Sequence, residues 1–326
     1  MAYQILNKRK PDVVTASQVY YEELNRLMDE SSAVMHLEAD LGMSIMGANL
    51  FALSKAHPSQ VLDCGIQEAN MVGIAAGLSV CGRIPFAHSF SPFLSRRACD
   101  QIFISCAYNK ANVKLIGSDP GVMAAFNGGT HMPFEDLAIL RSFPEMTVVE
   151  FSDATMARWL LSVAAKHRGN MYIRFTRKNT TAIYGEGSSF ELGKANILRD
   201  GDDVTLIGCG ILVGECLKAA EFLAKEGIQA RVIDMFTIKP IDREMILDSV
   251  KRTGAIVTAE NHNVIGGLGS AVSDVLCETE FAPIEKIGVQ DSFGQVGPYE
   301  ELMQIYHLTA EDIVCKAKKA ISRKQA

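Results

Sequence analysis

The chain has 326 residues, 48% of them hydrophobic and 21% charged, with a net charge of −6. So much apolar surface offsets the entropy of ordering and excludes a mainly disordered chain, and the acidic balance argues against a basic face for nucleic acid. No uncharged segment approaches the roughly 20 residues of a membrane span, and the N-terminal MAYQILNKRKPD has no apolar secretory run, so a cytoplasmic protein of about two domains is expected.

Thr15 and Gln18 predict a capping box for a helix near 16–29, with Val19, Leu24, Leu27 and Met28 as its apolar stripe. A strand near 32–39 runs into Asp40, and a second, Val61 to Asp63, meets Gly65. From Glu68 the sequence turns helical through Cys81. Further strands are expected at Val113–Gly117, Thr147–Phe151 and Met171–Phe175, with helices near 92–107, 133–142 and 153–168 between them. Such alternation predicts a parallel sheet covered on both faces.

The stretch YGEGSSFELGKANILRDG, 184–201, breaks the pattern with Gly, Ser and charge. It divides the chain into a first domain over 1–185, a linker over 186–200 and a second domain over 201–326. In the second, strands are expected at Val204–Gly208, Ala230–Ile233, Ala255–Ala259 and Ile284–Val289. Helices are expected at Val213–Glu226, Asp242–Lys251 and Gly269–Cys277. The fold class is therefore α/β, two doubly wound domains. The basic tail around Lys316, Lys318, Lys319, Arg323 and Lys324 reads as a solvated helix end. Eight cysteines form no CxxC pair and lie mostly in apolar runs, so they read as reduced core thiols rather than disulfides or zinc ligands.

VTLIGCGILVG follows a strand, opens a helix, and has Asp234 at the end of the next strand, as a dinucleotide fingerprint does. Its spacing is wrong: Gly208 and Gly210 fit, but Val213 stands where the third glycine lets helix and strand approach. The run Gly266-Gly267-Leu268-Gly269 also opens a helix and lacks a suitably spaced acidic ribose ligand.

CGIQEANMVGIAAG places Glu68 where a strand ends and a helix begins, the edge at which open α/β sheets collect ligands. By position alone, Glu68 is equally a helix N-terminal carboxylate stabilised by the dipole. GIQEANMVGIAAGL resembles the pyrimidine-binding domain of thiamine-diphosphate enzymes, transketolases in particular. The resemblance continues through HSFSPFLSRRACDQI, GGTHMPFEDLAILRSFPEMTVVEFSDA and IRFTRKN. VTLIGCG, ARVIDMFTIKPID and TAENHNVIGGLGSAV resemble the family's C-terminal domain. It covers nearly the whole chain, from about residue 12 to 315.

The resemblance implies thiamine diphosphate as cofactor, with Glu68 the glutamate that hydrogen-bonds the aminopyrimidine N1′ and so helps remove the thiazolium C2 proton. It implies that Phe90 and Phe93 flank the pyrimidine ring and that Asp40 lies close to the cofactor; otherwise these are two core phenylalanines and a strand-end cap. His131 matches a histidine that contacts substrate hydroxyls, and Arg177 a phosphate-binding arginine whose planar fork suits phosphate oxygens. Arg96 is a further candidate, at a position often Tyr in the family, and His88 lies beside the same loop. Asn127 stands where many transketolases carry an aspartate, and Ser118 and Asp119 near a position that is often histidine. These departures bear on the sugar, not on the cofactor.

A complete transketolase is about twice as long, and its N-terminal half holds diphosphate and a divalent metal through GDG and a later Asn. That pattern is missing here; Asp200-Gly201-Asp202 has the wrong order. The resemblance thus implies the C-terminal subunit of a split transketolase, moving a two-carbon ketol unit from a ketose phosphate to an aldose phosphate. An N-terminal partner subunit would bring most of the Mg²⁺ and diphosphate site, in an α2β2 assembly, and this chain alone would pair as a homodimer. Other readings of the same residues are the β subunit of a 2-oxoacid dehydrogenase E1 component, a deoxyxylulose-phosphate synthase-like fragment, and, outside catalysis, a nucleotide-binding or regulatory module.

Overall fold

The computed structural model describes residues 2–178 and 180–324. The first helix, α1 (Ala16–Glu30), starts where Thr15 Oγ1 accepts the Gln18 N–H, and it buries Val19, Tyr20, Leu24, Leu27 and Met28 along one side. Strand β1 (Val34–Glu38) is buried at every residue, as a central parallel strand must be. Two short helices, α2 (Gly42–Met46) and α3 (Asn49–Ala56), precede β2 (Val61–Asp63), α4 (Glu68–Val80) and β3 (Ile84–Phe90). Strand β3 is a difference from expectation: Pro85, His88 and Ser89 interrupt its apolar pattern, yet it lies between β1 and β4 (Lys114–Ser118).

The region expected as one helix over 92–107 is a composite. Two π-helical segments, Phe93–Arg97 and Ile102–Tyr108, flank a single turn α5 (Cys99–Gln101). After β4 come two 3₁₀ turns, Gly121–Asn127 and Gly129–His131, then α6 (Asp136–Arg141), β5 (Thr147–Glu150), α7 (Ala154–Lys166) and β6 (Met171–Phe175).

The stretch expected to link the domains contains β7 (Asn196–Arg199), which pairs antiparallel with β9 (Ala230–Asp234) in the second sheet. Around β9 lie β8 (Val204–Gly208), α8 (Leu212–Lys225) and β10 (Thr237–Lys239). Then follow α9 (Arg243–Thr253), β11 (Ile256–Asn263), α10 (Leu268–Glu278), β12 (Ile284–Val289), α11 (Tyr299–Ile305) and α12 (Ala310–Lys324). The second sheet runs β12-β11-β8-β9-β7, parallel except for β7. The first runs β10-β5-β6-β4-β3-β1-β2, parallel except for β10, a strand lent by the second domain and antiparallel to β5.

The domains are also joined through a buried ion network. Arg174, with no exposed surface, donates to Asp136 at 2.9 and 3.1 Å, to Glu150 at 3.1 Å and to the Asn261 carbonyl of the second domain at 2.8 Å. Burial pushes the Asp136 carboxyl up, but Arg174 and His262 outweigh it and hold it below its ordinary value.

Two surface expectations change. The C-terminal basic residues are not simply solvated: Lys316, Lys319 and Arg323 all hold Glu285 of β12, at 3.3, 3.1 and 2.7 Å. The cysteines are free, but only Cys64, Cys106, Cys209 and Cys216 are buried, while Cys81, Cys277 and Cys315 are exposed. Among the described residues no helix is long and apolar enough to cross a membrane.

Candidate active site

The expected site residues leave the first sheet at the carboxyl ends of its strands. Asp40 follows β1, Glu68 follows β2, and Phe90 ends β3 with Phe93 just beyond; Asn127 and His131 follow β4, and Arg177 follows β6. Parallel strands bring these ends to one edge, with Glu38 opposite Asp63 and His88, and Ser118 opposite Phe90 and Phe175.

Glu68 is the first residue of α4 and is fully buried. Ser89 Oγ donates to its Oε1 at 2.9 Å, and Arg97 Nη1 donates to its Oε2 at 2.7 Å. One oxygen is thus held from the interior. The other is held by an arginine whose side chain is 46% exposed. The wide π-helical turn places Arg97 four residues beyond Phe93 and its guanidinium 4.2 Å from the centre of that ring, a cation–π contact.

Phe90, Phe93 and His131 form a cluster of edge-to-face rings, with centroids 6.0 Å apart for the phenylalanines and 5.6 and 5.0 Å from each to His131. Burial, then Arg96 and Arg97, lower the His131 pKa, so the imidazole is neutral near pH 7. The GGTH loop is set by the second domain. A Cβ on Gly129 would stand 2.2 Å from the Gly294 carbonyl oxygen, so only glycine permits this approach.

Arg177 lies 5.5 Å from the centre of the Phe90 ring and grips Asp119 at two points. Nε donates to Oδ1 at 2.8 Å, Nη2 to Oδ2, and Nη1 to the Ser44 carbonyl. With Arg97 as the link between Glu68 and Phe93, the residues Glu68, Phe93, Phe90, His131 and Arg177 form one continuous chain of contacts. Arg96 turns to the rim, bonding Glu135 at 3.1 Å and the Thr130 carbonyl at 2.9 Å. There it lines a cavity of about 530 Å³ with Met132, Glu135, Asn263 and Gly294. Asp40 is exposed in the left-handed region at φ 58°, its N–H donating to Asp63 at 3.1 Å. Asn127 is exposed at the end of its 3₁₀ turn. Neither joins the contact chain. His88 does not line it either: it is fully buried, bonded to Ser118 Oγ at 3.0 Å, and burial with His36 and Arg177 drives its pKa well down.

No motif in the sequence marks Ser89 or Arg97 as a partner of Glu68, and Asp119, a departure from the family's histidine, carries no mark as the partner of Arg177. Arg97 alone left a local signal, its four-residue offset from Phe93; the Ser89–Glu68 and Arg177–Asp119 contacts span 21 and 58 residues.

The second domain's glycine-rich turns do not form a dinucleotide site. Asp234 is fully buried and accepts from Ser152 at 2.6 Å and Tyr184 at 2.7 Å, so it is sealed from any ribose. At the other turn, Glu260 accepts the Leu268 and Gly269 N–H groups at 2.6 and 2.8 Å, filling the anion position at the start of α10. A cavity of about 700 Å³ is lined by Met123, Ala125 and Phe126 together with Arg9, Lys10, Lys178 and Lys218. It contains none of the five connected residues.

The residues fit one end of thiamine diphosphate. A buried carboxylate beside two ring faces suits an aminopyrimidine. The nearest arginines are already paired with carboxylates, and among the described residues no three His, Cys, Asp or Glu side chains gather as a metal ion requires.

Comparison with known proteins places the chain further. Residues 12–182 match the family model of the transketolase pyrimidine binding domain, and 193–313 match that of the transketolase C-terminal domain. The chain is 45% identical over 305 residues to the 6-deoxy-6-sulfo-D-fructose transketolase subunit SqwH of Clostridium sp. (strain MSTE9), covering 94% of each. It is 39% identical over 297 residues to a putative transketolase C-terminal section of Methanocaldococcus jannaschii, covering 90% of this chain and 92% of that one. A solved split-gene transketolase, described as an inactive β4 tetramer, superposes with a TM-score of 0.88 at 40% identity over 95% of this chain and 99% of that one.

Proposed function

The chain belongs to the transketolase family, and from that premise we propose that it is the C-terminal subunit of a two-chain transketolase. It transfers a two-carbon ketol unit from a ketose to an aldose phosphate once an N-terminal-type subunit completes the site. The family implies dependence on thiamine diphosphate, and Mg²⁺ with the diphosphate would be held mainly by the partner, in an α2β2 assembly. The buried Glu68 carboxylate, paired with the half-exposed Arg97 that stacks on Phe93 beside Phe90, carries this reading.

Thiamine diphosphate, when bound, supplies the carbanion chemistry. Glu68 binds and shares a proton at the pyrimidine N1′, and its Oε1 is kept in place by Ser89. Seating a pyrimidine there requires Arg97 to yield Oε2, which its exposure allows. Phe90 and Phe93 orient the ring and exclude water. Neutral His131, fixed against Phe93, accepts from or donates to a substrate hydroxyl. Arg177 lies where the far, anionic end of the sugar is bound. Asp40 on the cofactor side, and Arg96 and Asn127 on the substrate side, stand at the rim until the partner closes over them.

The donor with a named precedent is 6-deoxy-6-sulfo-D-fructose, from the name of the 45% identical relative; fructose 6-phosphate and xylulose 5-phosphate are the phosphate counterparts. Ketol transfer to ribose 5-phosphate is measured with thiamine diphosphate and Mg²⁺, with and without the N-terminal-type subunit. Transfer is expected only with both subunits. Full transfer by this chain alone refutes the divided site, and no transfer from any donor by a cofactor-loaded complex refutes the reaction.

A further inference from the structure

We propose that Asp119 sets the charge preference for the far end of the sugar. By holding Arg177 in a two-point ion pair, it disfavours a dianionic phosphate relative to a terminal group that carries one negative charge. The inference rests on the ketol-transfer reading above and names the substrate feature that the same site selects.

Three of the five N–H donors of the Arg177 guanidinium are taken, including the whole Nε–Nη2 edge. Its Nε and Nη2 face the two Asp119 oxygens and its Nη1 faces the Ser44 carbonyl. This is the fork-to-fork geometry by which arginine otherwise binds a phosphate. Asp119 therefore occupies the position that two phosphate oxygens would take. It is also fixed there: its side chain is 3% exposed, against 20% for Arg177. Its N–H bonds the Phe175 carbonyl at 3.0 Å, and its φ of 52° lies in the left-handed region. The hydrogen bond pins its backbone, and the near-complete burial of its side chain leaves the carboxylate little room to swing aside.

The neighbouring cations do not make up the deficit. Arg97 is committed to Glu68 at 2.7 Å and Arg96 to Glu135 at 3.1 Å. His131 is kept neutral by burial and by those same two arginines. All three arginines around the Phe90–Phe93 rings thus carry a carboxylate partner. An incoming anion meets a charge-compensated edge and, at Arg177, the fixed negative charge of Asp119. Repulsion grows with each unit of charge brought close, so the second charge of a phosphate is the one this arrangement penalises.

The experiment uses the complex with its N-terminal-type subunit, thiamine diphosphate and Mg²⁺, comparing wild type with Asp119→Asn. Asparagine keeps the size of the side chain, tolerates the left-handed backbone and removes the charge. Donors are D-fructose 6-phosphate and its 6-sulfonate counterpart. The ratio of kcat/KM for phosphate over sulfonate is expected to rise at least about tenfold, mainly through a lower KM for the phosphate. In parallel, inorganic phosphate is titrated into the same complex by calorimetry. It should bind at least about tenfold tighter to Asp119→Asn, and the gain should vanish in Asp119→Asn/Arg177→Ala. An unchanged donor ratio, or a selective loss of the phosphate donor, overturns the proposal and makes Asp119 a clamp that presents Arg177. If no donor reacts, the ketol-transfer reading fails on its own, and phosphate affinity still decides the role of Asp119: unchanged affinity refutes it.

Discussion

Two turns in this chain place a carboxylate against the start of a helix, one in each domain, and they serve opposite ends. In the second domain, Glu260 accepts the Leu268 and Gly269 N–H groups at 2.6 and 2.8 Å and is fully buried. The glycines make room for it: a Cβ on Gly267 would stand 1.9 Å from Glu260 Oε2. Burial pushes the Glu260 carboxyl up to about 7. In the first domain, Glu68 is equally buried but leaves the backbone of its helix alone. It is held by Ser89 and by an arginine that reaches in from the surface. A glycine-rich turn is thus no guarantee of a ligand; here the anion it binds is its own glutamate. In the function proposed above, the carboxylate used for chemistry is the one whose partner is half-exposed.

The sharpest way to break this contrast is Glu68→Gln in the assembled complex. A group that shares a proton during the reaction contributes about 10²–10⁴-fold, so ketol transfer should fall about a thousandfold while the melting temperature of the isolated chain stays close to wild type. Retention of a tenth or more of the activity would place the proton-sharing group elsewhere. The complementary change is Glu260→Ala. It leaves two buried N–H donors without acceptors, at about 1–3 kcal/mol each. A stability loss on the order of 2–5 kcal/mol is expected in urea denaturation, with kcat of the folded complex within about threefold of wild type. A large loss of kcat at unchanged stability would give the second turn a direct part in the chemistry.

The same contrast explains what could be read from sequence. Local signals sufficed for α1 with its Thr15 cap, for the buried strands β4, β5, β6 and β8, and for the strand–turn–helix junction that carries Glu68. Strand β3 was hidden because Pro85 and the polar pair His88–Ser89 sit in its middle, and only burial between β1 and β4 makes it a strand. Strand β10 was hidden because three residues cannot announce that they pair with another domain. Glu68, Phe90, Phe93, His131 and Arg177 were nameable from motif resemblance. Of their electrostatic partners, Ser89 and Asp119 were not, since they act through side-chain geometry that no spacing encodes, and Arg97 left only its four-residue offset from Phe93. The reach of Glu260 to Gly269 is of the same kind. Nine residues separate them, and only the fold reveals that the turn closes on its own acid.

The smallest of these effects concerns Asp234, the acid that mimics a ribose ligand. Burial pushes its carboxyl up to about 7 from an ordinary 3.8. Its Oδ2 accepts from Ser152 and Tyr184, while Oδ1 is buried without a partner. A carboxyl raised on folding is most favourable when neutral. Its contribution to stability is fully present below about pH 4 and is lost as the pH rises through 7. An asparagine side chain at this position would keep an acceptor for both hydroxyls and point an uncharged amide at the unpartnered side. Asp234→Asn should therefore gain on wild type between about pH 5 and pH 8, by on the order of 2–4 kcal/mol in urea denaturation, and the gain should level off above pH 7. A stability difference that stays constant across that interval would mean that Asp234 is ionised throughout. Its charge would then have to be compensated by a group that the Ser152–Tyr184 pocket does not contain.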